Sequence, residues 1–430
     1  MEGVAQPGHG KENESNAMKV LLSAYACEPG KGSEPGVGWN WALQLSRFHD
    51  VWVITRQNNR VPIENELIRS PNPNLHFIYA DPPSWLSFWK KGQKGIYPFY
   101  ILWQIWAYRE AKRIHVIERF DVVHHVTFGT VWLPTFMTFL HIPFIWGPIG
   151  GAEAVPKILR KHLIFKWRAY EKLRELIIKW TFSLDPLSRL AMKKAKMIIA
   201  RTKITRDAFP SGIYEKVTLM IETGVSRGFL EEMKSTVHPR SGKTVLMAGR
   251  LLYLKGFDIG IEAFLEICNQ FPDSRLVIIG SGPEQERLKL LAKNNVSGQD
   301  KIFFAGQLPR EETLRTMKDA DVFLMPSMKD AGAWVLFEAM ASGLPVVCLD
   351  YAGPGEIVDA SCAYSIPVGE RAEVIRKIAN QLSRLLSSEQ LRKNMGEASI
   401  RRLEDKFLWE KKGETIRELY SCVLSFGDKQ

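Results

Sequence analysis

Short apolar runs alternate with amphipathic stretches along most of the chain. "KVLLSAYA", from Lys19 to Ala26, reads as a buried strand that enters the Gly-rich loop "CEPGKGSEPGVG", followed by the helix-like "WNWALQLSRF" and a second strand, "VWVITR". Strand, loop, helix and strand in that order open a doubly wound α/β domain. A second series begins after Arg240, where "TVLMAGR" reads as a strand, "FDIGIEAFLEICNQF" as an amphipathic helix and "RLVIIGSG" as a strand, and "EQERLKLLAKN" and "KIFFAGQ" continue the alternation. The pattern predicts two Rossmann-like α/β domains in tandem, over residues 18–225 and 244–405. The strand "VTLMIETGV" closes the first. The polar stretch 226–243, which contains Pro239, reads as a linker, and 406–430 as a last helix returning to the first domain.

A length of 430 residues accommodates two such domains, and 45% hydrophobic with 24% charged residues excludes a disordered or fibrous chain. The five cysteines, Cys27, Cys268, Cys348, Cys362 and Cys422, are dispersed and form no CxxC pair. That argues against a disulfide framework or a thiolate zinc site and fits a reducing cytoplasm. Residues 1–17 are polar and lack the apolar segment of a secretory signal; "SNA" before Met18 looks like a protease-cleavage scar, so this leader is set apart from the fold. The stretch from Val122 to Ala152 holds no Asp, Glu, Lys or Arg, yet Pro134, Pro143, Pro148 and three histidines interrupt it. It reads as a buried strand, loop, helix and strand, not as a membrane span.

The net charge of +11 is unevenly placed. Residues 1–240 hold 33 basic and 21 acidic residues, whereas 241–430 hold 25 and 26, and Glu153 to Lys216 alone has 16 against 6. Such a face attracts phosphates or an anionic surface, unless it is simply a solvated helical surface.

The segment "MPSMKDAGAWVLFEAMASGLPVVCLDYAGPGEIV", from Met325 to Val358, is richest in chemistry. Asp330 and Gly332 lie in a loop before a helix that starts near Trp334 or Val335, and Glu338 falls about one turn inside it. Amides from Gly332 through Ala333 and Trp334 to Val335 would be open to an anion, because the first turn of a helix has no intrahelical acceptors. Two carboxylates beside such a nest suit a ligand with phosphates and hydroxyls; standing alone they would be a solvated Asp and a surface Glu.

This segment resembles the donor-site signature of family 4 retaining glycosyltransferases, in which Glu, seven residues and Glu precede "AMAxGxPVV". The match is close from Phe337 to Val347, with Asp330 in place of the first Glu. "GRLLYLKG", Gly249 to Gly256, resembles the family motif whose Arg and Lys bind the donor diphosphate, here Arg250 and Lys255. "GSGPE", "FAGQLPREE" and "DADVFLMPS" follow in family order. The resemblance covers Met18 to about Tyr420, more strongly in the second half.

It implies the GT-B fold, two Rossmann-like domains facing each other across a cleft, and a metal-independent hexosyltransferase using a nucleotide-sugar as donor substrate, with no cofactor. It implies that Arg250, Lys255 and the nest stabilise the leaving diphosphate, that Glu338 holds the ribose, Asp330 the donor sugar, and backbone at Gly306 to Leu308 the base edge. Retention would follow a front-face route in which the departing phosphate oxygen takes the acceptor proton. In the first domain, Gly36 and Gly38 are expected in the loop before a helix, close to phosphate. "FDVVHHVTFG" resembles the family's "DVVHxH", so His124 or His125 is expected near the donor sugar, although each could equally be a satisfied structural histidine. The string Asp319-Ala320-Asp321 reads as local capping and not as a metal site.

Two further segments bear on the acceptor. "PSWLSFWKKGQKGIYPFYILWQIWAY", from Pro83 to Tyr108, mixes aromatics with lysines. "VPKILRKHLIFKWRAYEKLRELIIKW" places Ile158, Leu159, Leu163, Trp167, Leu173, Leu176, Ile177 and Trp180 at helical spacing among cations. Both suit an interface with acyl chains and anionic headgroups, and core packing of an amphipathic helix explains the stripe equally well. The expected acceptor is a glycan or lipid-linked molecule in cell-envelope polysaccharide synthesis, at an anionic membrane surface on the inner face of the plasma membrane, with no nucleic acid partner. A sugar-nucleotide epimerase of the same fold, or a non-catalytic membrane-binding protein, are the competing readings.

Overall fold

A computed structural model describes residues 17–425 apart from 91, 93, 134, 236–241 and 296–297, so most of the leader, part of the expected linker and the last five residues lie outside the described chain. Seven strands form the first sheet: β1 (Lys19–Ser23), β2 (Asp50–Thr55), β3 (Leu75–Tyr79), β4 (Val122–His125), β5 (Phe144–Ile149), β6 (Ala195–Ala200) and β7 (Val217–Leu219). All run parallel in the order β3-β2-β1-β4-β5-β6-β7, with Leu22 of β1 opposite His124 of β4. The second sheet has β8 (Thr244–Ala248), β9 (Arg275–Ile279), β10 (Ile302–Gly306), β11 (Val322–Met325), β12 (Val346–Asp350) and β13 (Ala363–Pro367), parallel in the order β10-β9-β8-β11-β12-β13.

The strands read as near-continuous apolar runs because helices cover both faces of each sheet. In the first domain Ile96–Glu118 packs Tyr100, Trp103 and Ala107 against one face. The helix Ser33–Leu45 covers the other with Val37, Trp41 and Leu45. In the second, Phe257–Ile267 and Arg371–Ser387 cover one face, and Trp334–Ala341 with Glu389–Lys406 the other. Both sheets change direction of growth beside their first strand, β1 in one and β8 in the other, and a doubly wound sheet opens a ligand crevice at the strand C-termini there.

The chain passes between the domains twice, side by side. The Val225 amide donates to the Phe407 carbonyl at 2.9 Å, and the Trp409 amide to the Val225 carbonyl at 2.9 Å. Beyond this pair the helix Trp409–Ser425 lies along Ser33–Leu45, with Trp409, Ile416 and Tyr420 in the first-domain core. The polar composition after Val225 conceals another element: Arg227–Lys234 is a helix, capped by Ser226, whose hydroxyl accepts from the Phe229 amide at 3.2 Å. Leu230 and Met233, three positions apart, bury its inner face in the second-domain core.

Candidate functional site

The second-domain residues expected to bind a donor come from three strand ends, those of β8, β10 and β11. Arg250 follows β8 and is exposed, while Lys255 ends the 3-10 turn Tyr253–Lys255 that precedes the helix Phe257–Ile267. Gly256 makes that turn at φ +67, and an added Cβ would lie 2.1 Å from the Pro326 carbonyl oxygen, so the β8 loop sits directly on the loop leaving β11. There Lys255 Nζ pairs with Asp330 Oδ2, and Asp330 Oδ1 accepts from the Ala333 amide at 3.1 Å. Asp330 thereby closes the loop ahead of the helix Trp334–Ala341, with Ala333 held at φ +42. One amide of the expected nest is thus occupied by the chain itself; those of Trp334 and Val335 remain the first of the helix, without intrahelical acceptors.

Val335 lines a cavity of about 400 Å³ together with Arg250, Gly280, Gln307 and Leu308. Gly306 ends β10 beside it, its carbonyl accepting from the Gly280 amide at 2.7 Å. Glu338 and Trp334 open instead on an adjoining cavity of about 360 Å³, which they share with Gly30, Lys31 and Gly32 of the first domain. Trp334 reaches across the cleft: a Cβ on Gly32 would meet its indole nitrogen at 3.1 Å. Burial raises the Glu338 pKa, and Arg310, whose Nε lies 3.0 Å from Oε1, opposes the rise. Arg310 lies in "FAGQLPREE", and only the fold shows it facing a carboxylate 28 positions later.

The first domain departs from expectation at four residues. Gly36 and Gly38 are not in the phosphate-facing loop but inside the helix Ser33–Leu45, whose first turn tolerates Pro35 because amides there need no intrahelical partner. Added Cβ atoms would lie 2.0 Å from the Lys31 carbonyl and 2.1 Å from that of Ala26, so these glycines allow close backbone packing. The loop segment at the cleft is Gly30 to Gly32.

His124 and His125 are buried in β4 and neither ring reaches the cleft. His124 Nε2 donates to the Gly147 carbonyl and Nδ1 accepts from the Tyr420 hydroxyl, both at 2.6 Å; His125 bonds the Tyr100 hydroxyl at 2.9 Å and that of Ser23 at 3.0 Å. Burial lowers both pKa values to about 3. They are satisfied structural histidines.

A pH prediction follows. An unfolded histidine protonates near 6.5, so between about pH 6.5 and 3 the unfolded chain binds more protons than the folded one and stability falls as pH falls, by up to about 1.4 kcal/mol per pH unit for each ring. In denaturant titrations between pH 7 and 4.5, His125→Gln should lose stability less steeply than the parent. Parallel decline would show that this ring does not set the slope.

Deeper in the cleft, Arg201 at the end of β6 is shared between Glu34, at 2.8 Å, and Glu222, at 2.6 Å. Burial raises the Glu222 pKa, with Arg201 opposing it. Glu222 Oε1 would lie 2.6 Å from a Cβ on Gly332, and the Thr223 hydroxyl donates to the Gly332 carbonyl at 3.1 Å, so the domain crossing abuts the loop ahead of Trp334–Ala341. The string Asp319-Ala320-Asp321 serves the fold, since Asp321 Oδ2 accepts from the Thr244 amide at 2.8 Å.

The helix Phe165–Ser183 is inverted relative to an ordinary surface helix. Its buried positions are Glu171, Ile178 and Thr181, while Phe165 is 77% exposed, Leu176 64% and Trp180 51%. Leu159, Leu163 and Trp167 do pack on the second-domain core, as core packing requires. Leu173, Leu176, Ile177 and Trp180 face outward among Lys166, Lys172 and Lys179. Trp85 and Phe88 of the other aromatic segment are also exposed, at 70% and 77%.

Residues 229–402 match the family model described as Glycosyl transferases group 1. This segment of the chain is similar to the group 1 glycosyl transferases. Over 198 residues, 45% of this chain and 50% of the relative, it is 31% identical to a phosphatidyl-myo-inositol mannosyltransferase of Mycobacterium leprae. Over 197 residues, 44% of the chain and 52% of the relative, it is 30% identical to spore coat protein SA of Bacillus subtilis. The chain spans about half the length of these curated relatives. The whole two-domain arrangement is similar to the crystal structure of Anabaena HepE in complex with UDP and glucose, with a TM-score of 0.57 and 17% identity over 94% of this chain and 99% of that one. The architecture is GT-B, with the matched segment contributing the sheet at whose edge Arg250, Lys255, Asp330 and Glu338 lie. No helix of the described residues is long and apolar enough to cross a membrane.

Proposed function

We propose that the protein is a retaining, metal-independent glycosyltransferase that moves a hexose from a nucleotide-sugar to a glycan or lipid-linked acceptor at an anionic membrane surface. The observation that carries this reading is the convergence of Lys255, Asp330, the first amides of Trp334–Ala341 and Glu338 on one cleft edge, with Arg250 on the adjoining cavity. Departure of a nucleoside diphosphate develops negative charge, which fixed cations and helix amides stabilise without reorganising. Lys255 and Arg250 supply the cations and Trp334 and Val335 the amides; Asp330 and Glu338 accept from sugar and ribose hydroxyls. Neither His124 nor His125 is available as a base, because both rings are committed to internal hydrogen bonds. The acceptor proton then passes to the departing phosphate oxygen, in keeping with front-face retention.

The membrane element rests on the outward apolar stripe of Phe165–Ser183 and on a cavity of about 600 Å³ beside it, lined by Lys157, Arg160, Lys161, Phe165, Arg168 and Lys172. Apolar side chains ringed by cations match the boundary between acyl chains and anionic headgroups.

The test is a panel of nucleoside diphosphates and nucleotide-sugars read by thermal shift, followed by transfer or slow hydrolysis of the sugar that binds, with and without EDTA. Stabilisation by one base and turnover that survives EDTA are expected. Loss of turnover in EDTA would overturn metal independence, no stabilisation by any nucleotide would overturn the donor site, and accumulation of an epimerised sugar would favour an epimerase.

A further inference from the structure

Glu171 is a fully buried carboxylate in the middle of a helix whose neighbouring side chains are largely exposed, and the proposed chemistry does not use it. Two of its three contacts are with the loops that carry Lys255 and Asp330. Oε1 accepts from the Tyr253 hydroxyl at 2.6 Å and from Lys329 Nζ at 3.0 Å, and Oε2 from the Val155 amide at 3.2 Å. Tyr253 stands two residues before Lys255, and Lys329 immediately before Asp330. Since Lys255 and Asp330 also pair with each other, the two loops and Glu171 close a ring of contacts: Glu171 to Tyr253, along the backbone to Lys255, across to Asp330, back one residue to Lys329 and again to Glu171.

One turn earlier, Trp167 stacks on the Tyr253 ring, with centroids 4.4 Å apart and planes inclined by 15°, and its indole nitrogen donates to Glu284 Oε1 at 3.3 Å. Burial by itself would raise the Glu171 pKa, but the hydrogen bonds from Tyr253, Lys329 and the Val155 amide outweigh it and hold the carboxyl below its ordinary value. Burial lowers the Lys329 pKa, with Glu171 opposing that shift.

We infer that Glu171, supplied by the segment between β5 and β6, is a positioning residue of the donor site: it fixes the spacing of the loops that present Lys255 and Asp330 to the diphosphate and the sugar. The inference rests on the donor-site reading above. A ligand that bridges both loops gains from their being held in register before it arrives, because ordering them at the moment of binding lowers affinity. Glu171 touches no ligand in this arrangement and acts through Tyr253 and Lys329.

The experiment compares the parent with Glu171→Gln, Tyr253→Phe, the double variant and Lys255→Ala. It reads binding of ADP, GDP, UDP, CDP and TDP, KM and kcat for the donor found in the panel, and circular dichroism. Glu171→Gln keeps the size but presents an amide group to two donors; Tyr253→Phe removes only a hydroxyl, so folding is secured in at least one arm. Each is expected to weaken nucleotide binding and raise the donor KM about tenfold, the scale of one lost charge-assisted hydrogen bond, with a smaller change in kcat. The double variant should lose less than the product of the two, since both changes break one contact. Folded Glu171→Gln and Tyr253→Phe proteins with parental KM and nucleotide affinity, beside an impaired Lys255→Ala, would overturn the positioning role while leaving the donor site standing. If Lys255→Ala is also unimpaired, or the parent binds no nucleotide, the donor reading fails and the inference fails with it.

Discussion

Lys255→Ala is expected to lower kcat/KM about a hundredfold while the fold is retained. The estimate comes from the developing charge on a departing diphosphate: removing one preorganised contact to it commonly costs about 3 kcal/mol, and each 1.4 kcal/mol is a factor of ten. Lys255 is partly exposed and ends a short turn, so its removal leaves no cavity in the core. It also releases Asp330, whose carboxylate keeps its hydrogen bond from the Ala333 amide. Glu338→Ala should be similarly severe, with the loss in nucleotide affinity because Glu338 is assigned to the ribose. Full activity of the folded Lys255→Ala protein would remove the basis for placing the diphosphate between β8 and β11.

The second large effect is expected at the outer face of Phe165–Ser183. Vesicles containing anionic lipid should pellet the protein, and the fraction bound should fall as salt rises, because attraction to the surface decays over about 8 Å at physiological ionic strength. Sequence alone points to Lys157, Arg160, Lys161 and Lys166 as the cations to neutralise. The fold changes that choice: Arg160 is paired with Glu175 at 2.9 Å and Lys161 with Glu370 at 2.6 Å. The better variant is Lys157→Gln, Arg168→Gln and Lys172→Gln together. At about 1 kcal/mol for each cation near the surface, binding should weaken roughly a hundredfold. Trp180→Ser should weaken it at all salt concentrations, since its contribution is apolar. Equal pelleting with neutral and anionic lipid, or none with either, would make a soluble acceptor the better hypothesis.

The second half was the more legible in sequence because the chemistry proposed for it is local. Lys255, Asp330 and Glu338 are tied to strand ends by short motifs, and an apolar run followed by Gly or Pro marks each strand end. The first half relied on features that sequence spacing leaves ambiguous. Helical periodicity locates a stripe without saying which way it faces, so Leu176 and Trp180 are read equally as core and as surface until Glu171 is found on the buried side. The histidines of β4 have partners far away in the chain: Tyr420 lies 296 residues from His124, and no local pattern announces that hydrogen bond. Gly36 and Gly38 were misplaced because a Gly-rich, Pro-containing string reads as loop, although proline is tolerated in a first turn and glycine is required where helix and carbonyl meet. Arg310 went without a role for the same reason as Glu171: each acquires meaning only through a residue on another element.

The pairing of Lys255 with Asp330 has a consequence for discrimination between anions. The cation already has a counter-ion, anchored to the same loops and therefore present at a local concentration far above that of any dissolved salt. A small anion must displace this internal competitor and leaves Asp330 without its cation, which weakens its hold. In the proposed function a nucleotide-sugar would exchange both partners at once, its phosphate taking Lys255 while its hydroxyls donate to Asp330. Inorganic phosphate should then compete poorly with the donor, selectivity arising from rejection of the simpler ligand as much as from attraction of the complex one.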